Sequence, residues 1–293
     1  MSVEKEDAAE PAALEGAAPQ GEDKGPENDT PTAEQTAGEQ LLAPPAEFGA
    51  PPARMSIEAL YQHVSRLGLV PGCVIDIGAA YGDFTRMAAR IAPDAEFLMF
   101  EPLAEYQASL NRVVEEVPRT YLVMAAAAEA RGSMTINVHG DLMGSSLMYE
   151  WEEASDVNGV PRDVAVTTVD AEIANLGWPE DIWLKIDVQG AELKVLAGAE
   201  ETLRRTQLLV VETTLFNTFG GGPLAGDIVT YMAERGFVLY DIAGFLYRPL
   251  DGALMQLDLA FVPKDSPLRR HHAFATPEQR REITAYLAAR RDS

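Results

Sequence analysis

The chain has 293 residues, 47% of them apolar, and a formal net charge of −23. That length holds one large domain or two small ones, and the apolar share is ordinary for a globular protein. The acidity argues against a sequence-independent nucleic-acid binder, which needs a basic footprint, and the single cysteine, Cys73, leaves no internal disulfide and no cysteine-based zinc site. No apolar run reaches the length of a membrane span, and the acidic N-terminus lacks a secretory core segment. A cytoplasmic protein with no membrane partner is therefore expected.

Residues 1–54 are dominated by Ala, Glu, Pro, Gly and Thr and carry 12 acids against 3 bases. So little apolar surface cannot offset ordering entropy, which predicts a disordered acidic tail. A folded domain is expected over 55–265. Met55 to Gly68 reads as an amphipathic helix, N-capped by Ser56, with Ile57, Leu60, Tyr61, Val64 and Leu67 on one face. Strand one is Cys73 to Ile77, with Cys73 a buried inert thiol. It enters the turn Gly78-Ala79-Ala80-Tyr81-Gly82, and Phe84, Met87, Ala88 and Ile91 then give a helix its buried stripe. Strand two, Glu96 to Phe100, ends in Glu101-Pro102. A helix from Ala104 to about Glu116 and strand three, Thr120 to Met124, follow. The run Ala125 to Glu129 is read as a close-approach loop.

Residues 133–170 break the rhythm. Met134, Ile136 and Val138 alternate with polar neighbours, as do Val164, Val166 and Thr168, a period of two that predicts strands. Gly144-Ser145-Ser146-Leu147-Met148 lies between them, so this is a β insertion carrying a mobile segment. Strand four, Asp181 to Asp187, turns through Val188-Gln189-Gly190-Ala191-Glu192 into a helix reaching about Leu203. Strand five, Leu208 to Val211, ends at Glu212. Phe219-Gly220-Gly221-Gly222-Pro223 is flexible enough for a lid. A helix over Leu224 to Arg235 precedes strand six, Phe237 to Ile242, and strand seven, Leu257 to Val262. Residues 266–293 form a basic helical extension with Arg269-Arg270-His271-His272 and a helix near Pro277 to Arg290. Its bases suit a solvated face, or the acidic surface of this chain or of a second copy, so a homo-oligomer is one expectation. Strands alternating with helices, with six and seven joined directly, predict an open, doubly wound α/β sheet of seven strands with one antiparallel strand at or near its edge.

Three acids end three strands: Glu101, Asp187 and Glu212. In a doubly wound sheet those tips share one rim, where ligands bind. The glycine turn lets a ligand approach the backbone and frees the next helix's N–H groups. Glu101, about twenty residues on, suits two ribose hydroxyls. The turn lacks the G-x-G-x-x-G spacing of a dinucleotide site. Asp76, ahead of the glycine, suits a cation better than a pyrophosphate. S-adenosylmethionine meets both demands, its sulfonium and amino group near Asp76 and its ribose on Glu101. The alternatives are an NAD(P)-dependent Rossmann oxidoreductase and a non-catalytic module that binds S-adenosylmethionine.

The segments Val74-Ile75-Asp76-Ile77-Gly78-Ala79-Ala80-Tyr81-Gly82, Phe100-Glu101-Pro102, Thr168-Val169-Asp170 and Leu184-Lys185-Ile186-Asp187-Val188-Gln189-Gly190-Ala191-Glu192 resemble the FkbM-type family of S-adenosylmethionine-dependent methyltransferases. Val195 to Ala199 continues the resemblance, which spans about 73–213. Members often have Asn at the place of Ala80 and Leu at the place of Val169. The resemblance implies a class I methyltransferase-like (Rossmann-like) fold and O-methylation of a sugar or natural-product hydroxyl, a small-molecule acceptor. By the same resemblance the cofactor loop is Asp76, Gly78, Ala79, Tyr81 and Gly82, with Glu101 and Pro102 at the ribose. Ala126 and Ala127 border the adenine, and Ser145 and Ser146 close over cofactor or substrate.

An attacking alcohol gains by losing its proton. Asp187 is the candidate for that role, as base or as metal ligand, with Lys185 two residues earlier on the same strand face to hold it ionised. Some related sugar and catechol O-methyltransferases bind magnesium through acids after strands four and five, so the resemblance implies Mg2+ at Asp187 and Glu212, an ion that prefers carboxylates and water, although Thr213 and Thr214 stand where those enzymes have a further carboxamide or carboxylate. His139, ending an insertion strand, would be a base if the insertion folds over the site. Trp151, Trp178, Trp183, Phe216, Phe219 and Tyr247 are candidates to line the acceptor pocket.

Overall fold

The structure is a computed structural model, and it describes residues 55–149, 158–177 and 179–291. The expected tail, 1–54, and the aromatics Trp151 and Trp178 lie outside the described residues. The N-terminal helix α1 (Ile57–Arg66) is capped as expected, the Ser56 side chain accepting from Ala59 N. Strand β1 (Cys73–Ile77) is buried along its whole length, as the central strand of a sheet covered on both faces must be. It is followed by α2 (Asp83–Ile91), β2 (Glu96–Phe100), α3 (Gln107–Glu116) and β3 (Thr120–Val123).

The chain then crosses to the far side of β1. Strands β7 (Ile182–Ile186), β8 (Thr206–Thr214), β9 (Phe237–Tyr247) and β10 (Leu254–Pro263) complete a seven-stranded sheet in the order β3-β2-β1-β7-β8-β10-β9. β1 pairs parallel with both β2 and β7, so the winding direction reverses between these central strands. β10 runs antiparallel to β8 and β9, and is the antiparallel strand expected near the edge.

Alternation along the strands sorts the core into two layers. Val74, Phe97, Met99, Trp183 and Val210 face α1, α2 and α3. Ile75, Ile77, Leu98, Leu184 and Val211 face the other way. That second layer is covered by α4 (Val169–Asn175), α5 (Glu192–Ala197), α6 (Glu200–Leu203) and α7 (Ala225–Glu234). Each fully buried side chain of this size contributes about 1.5–3 kcal/mol over leaving it in water. Cys73 is fully buried, its thiol pushed up to about 12 by burial and by the charge of Glu96.

Four expectations are corrected. The alanine run after β3 is not all loop: Ala126–Ala127 forms β4, paired parallel with β6 (Val160–Thr167), which also takes the antiparallel β5 (Gly132–Val138) to make a separate three-stranded sheet. The helix after β7 is two helices, because Gly198 lies against the chain after β4. A Cβ there would stand 2.1 Å from the Ala128 carbonyl oxygen, and Asp170 caps α6 by accepting from Glu201 N and Thr202 N. Strand β8 runs on to Thr214, so Glu212 lies inside it rather than at its end. Strands β9 and β10 are longer than expected, forming one hairpin across the sheet edge. The C-terminal helix α8 (Pro277–Arg291) forms where the sequence places it.

Candidate active site

The reversal of winding between β1 and β7 opens a crevice at the carboxyl ends of the strands. There the backbone is drawn tight. Gly78 N and Ala79 N both donate to Phe100 O at 3.0 Å, and Asp187 N donates to Ile77 O at 3.0 Å. Gly78 has φ +79°, and a Cβ on it would lie 1.9 Å from the Asp187 carbonyl oxygen, so only glycine fits. A cavity of about 520 Å³ opens above these tips.

Eight of the expected site residues line this cavity: Gly78, Glu101, Pro102, Ala126, Ala127, Ser145, Asp187 and Glu212. Glu101 is 4% exposed. Its Oε2 accepts from Ala80 N at 2.9 Å and its Oε1 from Leu103 N at 3.0 Å, which fixes the carboxylate at the tip of β2. Burial raises its pKa against these two bonds. Ala126 and Ala127, with Ala125, form a flat wall without polar side chains.

Seven expected residues do not line the cavity: Asp76, Ala79, Tyr81, Gly82, Ser146, Lys185 and His139. Asp76 is fully buried beneath it. Thr85 Oγ1 donates to its Oδ2 at 2.9 Å, and Lys185 Nζ lies 3.2 Å from its Oδ1. Both oxygens are thus spent inside the protein, and Asp76 does not face a ligand cation. Ala79 is buried, Tyr81 is half exposed with its ring edge-on to Tyr106, and Gly82 forms the N-cap of α2 with φ +80°. The His139 ring lies against Gly144, behind the cavity-lining loop. Ser146 also sits behind that loop and ties it down, its hydroxyl donating to the Gln189 carbonyl and accepting from Met148 N. Ser145 Oγ accepts from His139 N at 3.0 Å.

Lys185 Nζ also donates to Gly78 O at 2.9 Å and stands 3.5 Å from Asp187 Oδ2. Burial works against its charge, but Asp76 and Asp187 outweigh it and hold the ammonium above the ordinary lysine value. Lys185 is therefore a fixed cation that orients Asp187, not a base.

Asp187 and Glu212 do share the cavity floor, but an amide stands between them. Gln189 Nε2 donates to Asp187 Oδ1 at 3.0 Å and to Glu212 Oε1 at 2.7 Å. Gln256 Nε2 adds a bond to Glu212 Oε1 at 2.9 Å. Asp258 faces Glu212 across the β8–β10 ladder. Burial, then the charges of Asp187 and Asp258, push Glu212 up to about 8. Among the described residues no group of three or more His, Cys, Asp and Glu is placed to hold a metal ion. The Mg2+ expectation thus meets an N–H donor where a hard cation needs an oxygen.

Sequence reasoning missed Gln189, Gln256, Tyr106 and Asp141. Gln256 and Asp258 alternate on β10 toward Glu212, a period-two signal the sequence does carry. Gln189 sits at φ +52°, a conformation rare outside glycine that aims its side chain back at Asp187. Asp141 lies in the insertion, whose path no local pattern gives. Of the aromatic candidates that are described, none lines the cavity: Trp183 packs on Tyr61, Phe216 lies under Arg248, Phe219 is buried by Gly190, and Tyr247 meets Phe245 on the edge strand.

Comparison with known proteins places these features in a family. The model for the methyltransferase FkbM domain matches residues 76–239. The 2-O-methyltransferase NoeI of Sinorhizobium fredii is 26% identical over 168 residues, covering 54% of this chain and 69% of NoeI. The AMB antimetabolite synthetase AmbE of Pseudomonas aeruginosa is 27% identical over 226 residues, covering 61% of this chain but 11% of AmbE. Among solved structures, the methyltransferase FkbM from Methylobacillus flagellatus KT is similar at 17% identity and a TM-score of 0.40, over 68% of this chain and 47% of that one. The family match extends from Asp76 through the Asp187 turn and into β9, taking in all of the cavity lining from Ile77 to Glu212, and the protein belongs to the methyltransferase FkbM domain family.

Proposed function

We propose that this FkbM-type methyltransferase uses S-adenosylmethionine to methylate a hydroxyl of a small molecule, a sugar or a natural product. The observation that carries the reading is one cavity with a carboxylate at each end, Glu101 at the tip of β2 and Asp187 at the tip of β7. A nucleoside sulfonium fits such a crevice. Glu101 is held by two backbone N–H groups and keeps lone pairs for ribose hydroxyls. The alanine wall offers a flat apolar face for a base. The net charge of −23 disfavours a polyphosphate acceptor such as RNA.

When bound, S-adenosylmethionine supplies an electrophilic methyl group. The chain's own residues then have three tasks. Gly78 and the β2 tip bring backbone close to the ligand. Lys185 holds Asp187, whose side chain is 34% exposed toward the cavity. Asp187 is placed to accept the proton of the acceptor's hydroxyl, whose oxygen would form the new bond to the methyl carbon as the carbon–sulfur bond breaks and the sulfur leaves as a neutral thioether. Positioning in line supplies several kcal/mol of the barrier, and general-base help a further ~10²–10⁴-fold. NoeI, named as a 2-O-methyltransferase, supports oxygen as the methylated atom.

The test is a methyl-transfer assay over a panel of sugars and polyketides, comparing the wild type with Asp187→Asn. A fall in kcat of about 10²-fold or more with unchanged cofactor affinity supports the role given to Asp187. Unchanged turnover removes Asp187 from the mechanism. Binding of nicotinamide dinucleotides in place of the nucleoside sulfonium ends the whole reading.

A further inference from the structure

Tyr106 is 2% exposed and lines the cavity, yet its hydroxyl has no hydrogen-bond partner among the described residues. Buried phenols nearly always find a partner, because leaving the bond unmade forfeits the hydration the hydroxyl had in water. The hydroxyl does not lack one through looseness. The ring is braced edge-on by Tyr81, with centroids 4.8 Å apart. Burial and the neighbouring Glu101 carboxylate push its pKa up to about 12, so it remains a donor.

A second group faces the same space from the insertion. Asp141 lines the cavity, and only one of its oxygens is engaged among the described residues, Oδ1 accepting from Gly144 N at 3.1 Å. The insertion is fastened over this end. Arg162 on β6 pairs with Glu105, next to Tyr106, at 2.8 Å. The sheet itself provides no polar side chain opposite Tyr106, since the wall after β3 is Ala125, Ala126 and Ala127.

We propose that Tyr106 and Asp141 form a second polar grip on the adenosyl part of the cofactor, the phenol donating to a ring nitrogen or ribose oxygen and the carboxylate accepting from an amino or hydroxyl group. The nucleoside is then held from two sides, by Glu101 and Tyr106 of the sheet half and by Asp141 of the β insertion. This inference rests on the S-adenosylmethionine reading, and its test separates the two.

The experiment is calorimetry of the full chain with S-adenosylhomocysteine and with 5′-methylthioadenosine, which lacks the amino-acid part. Tyr106→Phe removes a buried hydroxyl that satisfies no protein group, so its ligand-free melting temperature is expected at or above the wild-type value. Its affinity for both ligands is expected to fall roughly fivefold, the worth of one hydrogen bond. Asp141→Asn is expected to weaken both about tenfold, as loss of a charged acceptor does. Wild-type binding with both variants inside twofold overturns the grip and leaves the cofactor reading standing. A loss confined to S-adenosylhomocysteine puts the contact at the amino-acid end and also overturns it. Failure of the wild type to bind either compound overturns the cofactor reading and the grip together.

Discussion

Asp76 and Lys185 occupy paired positions on the two central strands, and their charged groups meet at 3.2 Å beneath the cavity floor. Neither is more than 9% exposed at the side chain. A buried pair stabilises little against an apolar pair, but removal of one member strands the other. Asp76→Ala should therefore cost about 3–5 kcal/mol in denaturant unfolding. Asp76→Ala together with Lys185→Met should recover part of that loss, because no fully buried charge then stands alone, although Asp187 loses its cation.

Gly78→Ala should be more severe than an ordinary loop change. The new methyl meets the Asp187 carbonyl at 1.9 Å, and the backbone sits at φ +79°. Backbone strain alone costs on the order of 1–3 kcal/mol. The β1 and β7 tips must separate to relieve the clash. Expected are a melting temperature lowered by several degrees and loss of nucleoside binding, read by calorimetry on whatever fraction folds.

Glu192 gives a pH signature. It is 4% exposed, its Oε1 accepts from Gly190 N at 2.8 Å, and burial lifts its pKa to about 7. Below about 4.5, the ordinary glutamate value, folded and unfolded chains both hold the proton. Between there and 7 the unfolded chain has released it and the folded chain has not, so the stability this group contributes falls as pH rises. Glu192→Gln keeps the carbonyl acceptor and removes the titration. Its stability relative to wild type should improve by roughly 1–3 kcal/mol between pH 4.5 and 8. Paired urea melts at those two pH values read the difference, and parallel curves would refute the assignment.

Ser146 should govern the loop that forms one side of the cavity. Its hydroxyl, 1% exposed, donates to the Gln189 carbonyl and accepts from Met148 N, joining the insertion to the Asp187 turn. Ser146→Ala should cost about 1–2 kcal/mol. Amide hydrogen exchange over 139–149 should quicken while exchange in β1 and β7 stays as it was.

The sheet was legible because its central strands are continuous apolar runs closed by glycine turns, and both signals are local. Val74 to Ile77 and Leu184 to Ile186 needed no knowledge of what they touch. Glu101 followed from its place at a strand tip. Asp76 did not, because sequence cannot tell a carboxylate that faces a ligand from one that turns under the sheet to meet Lys185, 109 positions away. The break at Gly198 was hidden for the same reason, since its cause is the carbonyl of Ala128 on another element. Tyr106 and Asp141 come together only once the insertion is laid over the crevice.

The lone cysteine has a practical consequence. Cys73 is sealed in β1 and stays a neutral thiol, since burial pushes its titration up to about 12. Maleimide reagents attack thiolates at accessible positions, so the native chain should be silent to them. A Met143→Cys variant, at an exposed position on the loop over the cavity, would then take a fluorophore at that site alone. Its emission could report the arrival of a nucleoside in real time, with no need to know which molecule receives the methyl group.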